Sequence, residues 1–166
     1  MNKITISQAQ KLTSPNPFAL VGTCDNNGRQ NLMALSWWTY VSNKPATVAV
    51  CLSQKGFSGS LIKQNMEFTL NIVGENLKKE AFSCGCASGR DTDKVQQLSV
   101  KLLPSEHITP MRVEQSRVSF ECKVMQHIPV HDHDIFIAEV LEIYGDDSIR
   151  QLYTLKGYSV LDTVDY

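Results

Sequence analysis

The order of apolar and polar positions along the chain reads as short strands separated by turns, with a few brief helices between them. Phe18 to Cys24 is an apolar run that stops at Asp25-Asn26-Asn27-Gly28, where asparagine and glycine supply the positive φ angles of a tight reversal. A hairpin follows, and its returning arm is predicted from Asn31 to Val41, ending at the turn-forming Ser42-Asn43-Lys44-Pro45. The arm is rich in aromatic side chains, which suit the pleated surface of a strand. Thr47 to Leu52 is a continuous apolar segment of strand length, which predicts burial on both faces. After the polar loop Ser53-Gln54-Lys55-Gly56-Phe57, Ser58 is placed to cap a helix carrying Leu61 and Ile62 that stops near Asn65. Period-two alternation resumes from Phe68 to Val73.

Leu77 to Phe82 predicts another short helix, Ser83 to Asp93 an exposed and shaped loop, and Lys94 to Leu98 a helical turn. Further on, Val118, Phe120, Cys122 and Val124 alternate with Ser119, Glu121 and Lys123, so one face is expected to be buried and the other wet. Ile135 to Tyr144 is a long strand, apolar on both faces until Glu139 and Glu142 interrupt it. Short strands with turns between them and a few small helices predict a mainly β protein, a closed or nearly closed antiparallel barrel.

Composition narrows the partners. Of 166 residues 42% are apolar, and no repeat or long linker divides the chain, so residues 1–166 are expected to share one core. Sixteen basic against seventeen acidic side chains give a net charge of −1, which supplies no global field for nucleic acid or an anionic membrane. There is no apolar run of spanning length and no secretory pattern in the first twenty residues, so a cytoplasmic protein is expected. Five cysteines without an export signal argue against a disulfide framework. Cys24, Cys51 and Cys122 sit in strand-like stretches and read as small buried apolar groups, which leaves Cys84-Gly85-Cys86 as the pair with chemical potential.

Two places carry candidate chemistry. Alternation sends Trp37 and Trp38 to opposite faces, one to the core and one to a rim, beside polar Asn31 and Ser36. The loop Gln54-Lys55-Gly56-Phe57-Ser58 offers an ammonium, a hydroxyl and a glycine-freed backbone at the start of a helix, a combination that suits a phosphate.

The order of these motifs resembles the flavin reductase-like family, which includes the flavoredoxins. The resemblance spans residues 15–160. Asn31-Leu32-Met33-Ala34-Leu35-Ser36-Trp37 is similar to the family's Asn-x-Met-x-x-Ser-Trp strand, with the spacing held to Ser58, Phe68 and Asn71. Ser88-Gly89-Arg90-Asp91-Thr92-Asp93-Lys94 resembles its Ser-Gly-x-Asp-x-Asp-Lys loop, His133 lies in a segment like its Gly-Asp-His motif, and Tyr153 with Gly157-Tyr158 resembles its closing segment. The fold so implied is a split antiparallel β-barrel of Greek-key, FMN-binding type with a few short helices. Its implied cofactor is FMN, with NADH or NADPH as donor. The implied site is the backbone of Met33, Ala34, Leu35, Ser36 and Trp37 along the isoalloxazine edge, with side-chain contacts from Asn31 and Ser36 and with Asn71 and Ser88 also at the cofactor. Lys55 and Ser58 would take the phosphate, Lys94 would close on it, and His133 would position the nicotinamide side. Departures from the pattern are Ser58 in place of threonine, Gln54 and Lys55 in place of arginine, and Ala138 in place of glycine.

The resemblance also implies a homodimer, and it covers both a flavin reductase and an electron-transfer flavoprotein reduced by another redox protein. A flavin-binding module without turnover is a third reading. No Gly-x-Gly-x-x-Gly motif marks a separate nicotinamide domain. His127, His131 and His133 beside Asp132 and Asp134 suggest a metal site only through chance strand spacing, so no metal is expected. Cys84 and Cys86 lack the Cys-x-x-Cys spacing of a redox pair.

Overall fold

Strand-forming stretches account for most of the ordered backbone in the computed structural model, which describes residues 1–165. Helix α1 (Ile6–Leu12) is followed by strands β1 (Asn16–Pro17), β2 (Ala19–Cys24), β3 (Gln30–Leu35), β4 (Trp38–Asn43) and β5 (Ala46–Ser53). Helix α2 (Phe57–Asn65), strand β6 (Glu67–Ile72), and helices α3 (Lys78–Cys84) and α4 (Lys94–Gln97) come next. Strands β7 (Leu102–Leu103), β8 (Arg112–Val113), β9 (Val118–Val130), β10 (His133–Gly145), β11 (Tyr153–Thr154) and β12 (Leu161–Asp162) complete the order. Seven of these strands form one antiparallel sheet in the order β3-β2-β6-β9-β10-β5-β4.

The arm predicted as one strand from Asn31 to Val41 is broken in two. Strand β3 pairs with β2, β4 pairs with β5, and the two stand at opposite edges of the sheet although Ser36 and Trp37 alone join them. Three Cα steps of about 3.8 Å each keep Leu35 within roughly 11 Å of Trp38. The edges must therefore face each other, and the sheet is rolled into a barrel. No ladder pairs β3 with β4 among the described residues, so the barrel is split along this seam. The split antiparallel barrel implied by the resemblance is the fold observed.

Alternation along β2 and β3 explains why the first hairpin is apolar on both faces over most of its length. Ala19, Val21 and Leu35 point into the barrel with Val50, Phe68 and Phe136, and α2 adds Ile62 to this interior. Phe18, Leu20 and Leu32 point outward into a second core with Ala81, Cys84 and Leu152. Burying one such large apolar side chain stabilises the fold by roughly 1.5–3 kcal/mol, so both layers are needed.

Three expectations are corrected. In β5, Val48, Val50 and Leu52 are buried while Ala49 and Cys51 are only half-covered, Cys51 because it meets a cavity rather than a second layer. Ser58 does not cap α2: Gly56 is the N-cap, no side chain caps the helix, and Ser58 lies buried inside the first turn. Ser119 and Glu121 of β9 are buried, not wet, because the segment containing β7 and β8 folds over that face. Lys123 does face solvent.

Candidate functional site

Where β3 ends, the chain leaves one ladder and joins another, and its backbone groups need partners from outside the sheet. The peptide N–H of Ser36 donates to the Tyr158 hydroxyl at 2.7 Å, and the Ser36 Oγ shares a second hydrogen bond with it at 2.9 Å. The Trp37 carbonyl accepts from Cys51 N at 2.9 Å, which hands the chain to β5. A cavity of about 510 Å³ opens on this seam. Met33 to Trp37 form one wall, Cys51 to Ser53 another, and Phe82, Gly85 and Cys86 from the end of α3 a third. Gln10 and Thr13, His133, and Gly157 with Tyr158 complete the rim.

The two tryptophans divide as expected from alternation. Trp37 is 42% exposed at the cavity, and its ring lies 5.0 Å from that of His133 at a tilt of 31°. Trp38 packs against the barrel interior. His133 Nδ1 lies 2.9 Å from the Asp132 carboxylate. The next residue, Asp134, is buried and receives Lys63 Nζ at 3.0 Å, His127 Nε2 at 2.8 Å and Gln54 Nε2 at 3.3 Å. This cluster ties the start of β10 to α2 and so fixes the backbone that carries His133.

Burial pushes the Asp134 carboxyl up, but hydrogen bonds and charge from His127 and Lys63 outweigh it and hold the group below the ordinary carboxylate range. A depressed folded pKa stabilises the protein above the unfolded carboxyl pKa of about 3.9, and that stabilisation is lost as pH falls through the folded value. Asp134→Asn is expected to lower stability at neutral pH and to flatten the acid limb of a melting-temperature profile. Parallel wild-type and variant profiles below about pH 5 would remove Asp134 as a source of acid sensitivity.

A second cradle lies beside the cavity, three residues beyond Ser53. With no side-chain cap, the first-turn N–H groups of α2 are the kind of donors that suit an anion. The Asn31 amide nitrogen donates to Ser58 Oγ and to Thr23 Oγ1, both at 2.9 Å. Gly89 packs on Asn31 so closely that a Cβ would overlap its carboxamide oxygen. Arg29 holds this loop through the carbonyls of Gly89 at 2.7 Å and Thr92 at 3.0 Å. The Arg90 guanidinium lies 5.8 Å from the centre of the Phe57 ring, and Lys55 is exposed on the adjoining turn.

Of the predicted site residues, Met33, Ala34, Leu35, Ser36, Trp37 and His133 meet at the cavity. Asn31 and Ser58 meet each other at α2. Ser88 is exposed, and its hydroxyl accepts from Arg90 N at 3.2 Å. Lys94 is buried, and its ammonium donates to the carbonyls of Cys84 at 3.0 Å and Ala87 at 3.1 Å, so it pins the loop from within. Burial pushes the Lys94 ammonium below its ordinary range, with the Cys84 thiol opposing. Asn71 is not brought to the cavity. It is fully buried, donates to Leu20 O and Thr69 Oγ1, and accepts from Val113 N and Ser119 Oγ. The two cysteines of the Cys84-Gly85-Cys86 segment part company: Cys84 is buried with its thiol pushed up to about 11 by burial, whereas Cys86 is exposed at the cavity.

Sequence reasoning missed the partner of Ser36, because Tyr158 is 122 positions away. It also missed α1, for which Thr5 and Gln8 carried a readable signal, the reciprocal capping box that starts the helix bearing Gln10.

A cavity on the unpaired seam of a split barrel, beside an uncapped helix start, defines the class of the protein as a split β-barrel with a candidate site at its seam. The flavin reductase like domain matches residues 12–161, and the chain belongs to that family. It is 25% identical to the flavoredoxin of Desulfovibrio vulgaris (Miyazaki F), covering 100% of this chain and 94% of that one with a TM-score of 0.87. An FMN-binding protein from Thermus thermophilus shares the fold at a TM-score of 0.81 and 21% identity, over 92% of this chain and 88% of that one. The FMN reductase (NADH) RutF of Cronobacter sakazakii is 27% identical over 112 residues, 68% of this chain and 65% of that protein. No helix among the described residues is long and apolar enough to cross a membrane.

Proposed function

We propose that this chain is an FMN-binding oxidoreductase that passes reducing equivalents from NADH or NADPH to flavin. The observation that carries the reading is the cavity on the β3–β4 seam, whose volume lies in the range of small-molecule sites and whose wall offers backbone free of the sheet ladder. Its mixture of apolar side chains with the Ser36 N–H suits a flat heteroaromatic ring with polar edge atoms, and the α2 start suits a phosphate tail. When bound, FMN supplies hydride and electron transfer at its ring.

The residues of this chain then bind and orient. Met33 to Trp37 hold the ring edge, Asn31 sets Ser58 for the phosphate, and Lys55 adds charge. Ser88 and Lys94 serve the same end through the loop that packs Gly89 on Asn31. His133, tilted against Trp37, positions the nicotinamide rather than acting as an obligatory acid. We read residues 1–166 as one functional domain, cytoplasmic, and homodimeric; exposed Tyr40 and Val41 on edge strand β4 give such pairing an apolar surface.

A second reading is a flavoredoxin-like electron-transfer protein reduced by another redox protein, favoured by the full-length similarity to the Desulfovibrio flavoredoxin. Anaerobic absorption spectra separate the two after FMN is added and the excess removed. Bleaching of the flavin by NADH or NADPH is the expected result. Retained flavin inert to both nucleotides would replace the first reading by the second.

A further inference from the structure

We propose that Tyr158 is a built-in competitor of the flavin: its phenol oxygen occupies the Ser36 N–H that an acceptor on the ring edge would use, so that FMN must displace it to bind. The inference rests on the FMN reading of the cavity and adds to it a reason for the flavin to be exchangeable.

Ser36 is 7% exposed and lies between two ladders, so its N–H requires an acceptor that the sheet does not supply. The Tyr158 oxygen supplies it at 2.7 Å and adds the bond to Ser36 Oγ. One amide hydrogen serves one strong acceptor, so phenol and ligand exclude each other there. Tyr158 also lines the cavity itself, so the exchange of phenol for ligand takes place at the cavity wall.

The same tyrosine is built to leave. It is 49% exposed and belongs to neither apolar core, so it swings outward without opening either core. It sits on a small excursion whose base is closed independently of it. Leu155 N donates to Val160 O at 2.8 Å, and the N–H groups of Lys156 and Gly157 donate to Ser14 Oγ at 3.2 and 3.4 Å. Lys156 and Gly157 both have positive φ, 69° and 66°, which makes the tight turn that aims the phenol inward. Burial pushes the phenol above its ordinary pKa, so it remains a neutral partner for Ser36 through the physiological range.

A ligand that must wait for the open state has its apparent affinity reduced by the open fraction. Removing the phenol oxygen should raise that fraction. Tyr158→Phe keeps the ring and deletes the competing acceptor. In the ligand-free protein, exchange of the Ser36 amide, followed by NMR, is expected to accelerate at least about tenfold in the variant. FMN titrated by fluorescence quenching is expected to bind about tenfold more tightly, with the gain in the association rate. FMN binding unchanged or weakened beside a faster Ser36 amide would overturn the competition. Equal Ser36 exchange in both proteins would overturn the contact. If neither protein bound FMN at any concentration, the FMN reading would fall and this inference with it.

Discussion

Glu121→Ala is expected to cost about 3–5 kcal/mol, a large share of the 5–15 kcal/mol that holds an ordinary domain together. Glu121 is fully buried near the start of β9. Its carboxylate accepts the backbone N–H groups of Glu106 and His107, each at 2.9 Å, and lies 3.4 Å from Arg112 Nε. The Arg112 guanidinium in turn covers the Tyr144 ring at 3.5 Å, and the Tyr144 hydroxyl donates to Glu106 at 2.8 Å. Removing the carboxylate leaves a cation that is only 14% exposed and two amides without their acceptor. A melting temperature lower by roughly 10 °C is expected by calorimetry for a chain of this length. A loss under about 1 kcal/mol would show that the clamp is replaceable by water. FMN affinity measured well below the transition should not change, because none of these residues lines the cavity.

The second large effect concerns the phosphate. Ser58→Ala combined with Lys55→Ala is expected to weaken FMN about a hundredfold while leaving riboflavin, which lacks the phosphate, nearly unaffected. Each charge-assisted contact is worth roughly 1.5–3 kcal/mol, and two of them give at least that factor. Ser58 Oγ is already oriented by Asn31, and Lys55 extends from the turn that enters α2. Equal losses for FMN and riboflavin would mean that the cavity, not the phosphate cradle, had been damaged. Unchanged FMN retention would transfer the role to Arg90, whose guanidinium lies near Phe57 at the first turn.

The parts of the fold legible in the sequence were those fixed by local alternation. The hairpin of Phe18 to Cys24, the strand at Phe68 and the long strands near Val118 and Ile135 all stand within a few residues of their expected places. Met33 to Trp37 and His133 were legible through motif order as candidate site residues, and the fold brings them to one cavity. What was not legible depends on contacts far apart in the chain. The break at Ser36 arises because β3 and β4 serve opposite edges of a closed sheet, and a period-two pattern carries no sign of a change of partner. Asn71 fits the motif spacing, yet Val113 and Ser119 occupy its carboxamide oxygen from distant segments. Glu121 read as solvent-facing because a buried carboxylate and an exposed one look alike until the covering loop is known.

The seam between β3 and β4 gives the barrel one line along which it can gape without breaking a rung between those two strands. The remaining strands are stitched edge to edge, so cohesion is unevenly distributed around the wall. A molecule lodged across the Ser36–Trp37 link would act as a staple, joining two margins that the backbone leaves unsewn. Such a staple strengthens the whole cylinder by mass action, by about 2.7 kcal/mol when its free concentration is a hundred times its dissociation constant. The weakest line of the wall is therefore also the place where occupancy has the greatest mechanical return.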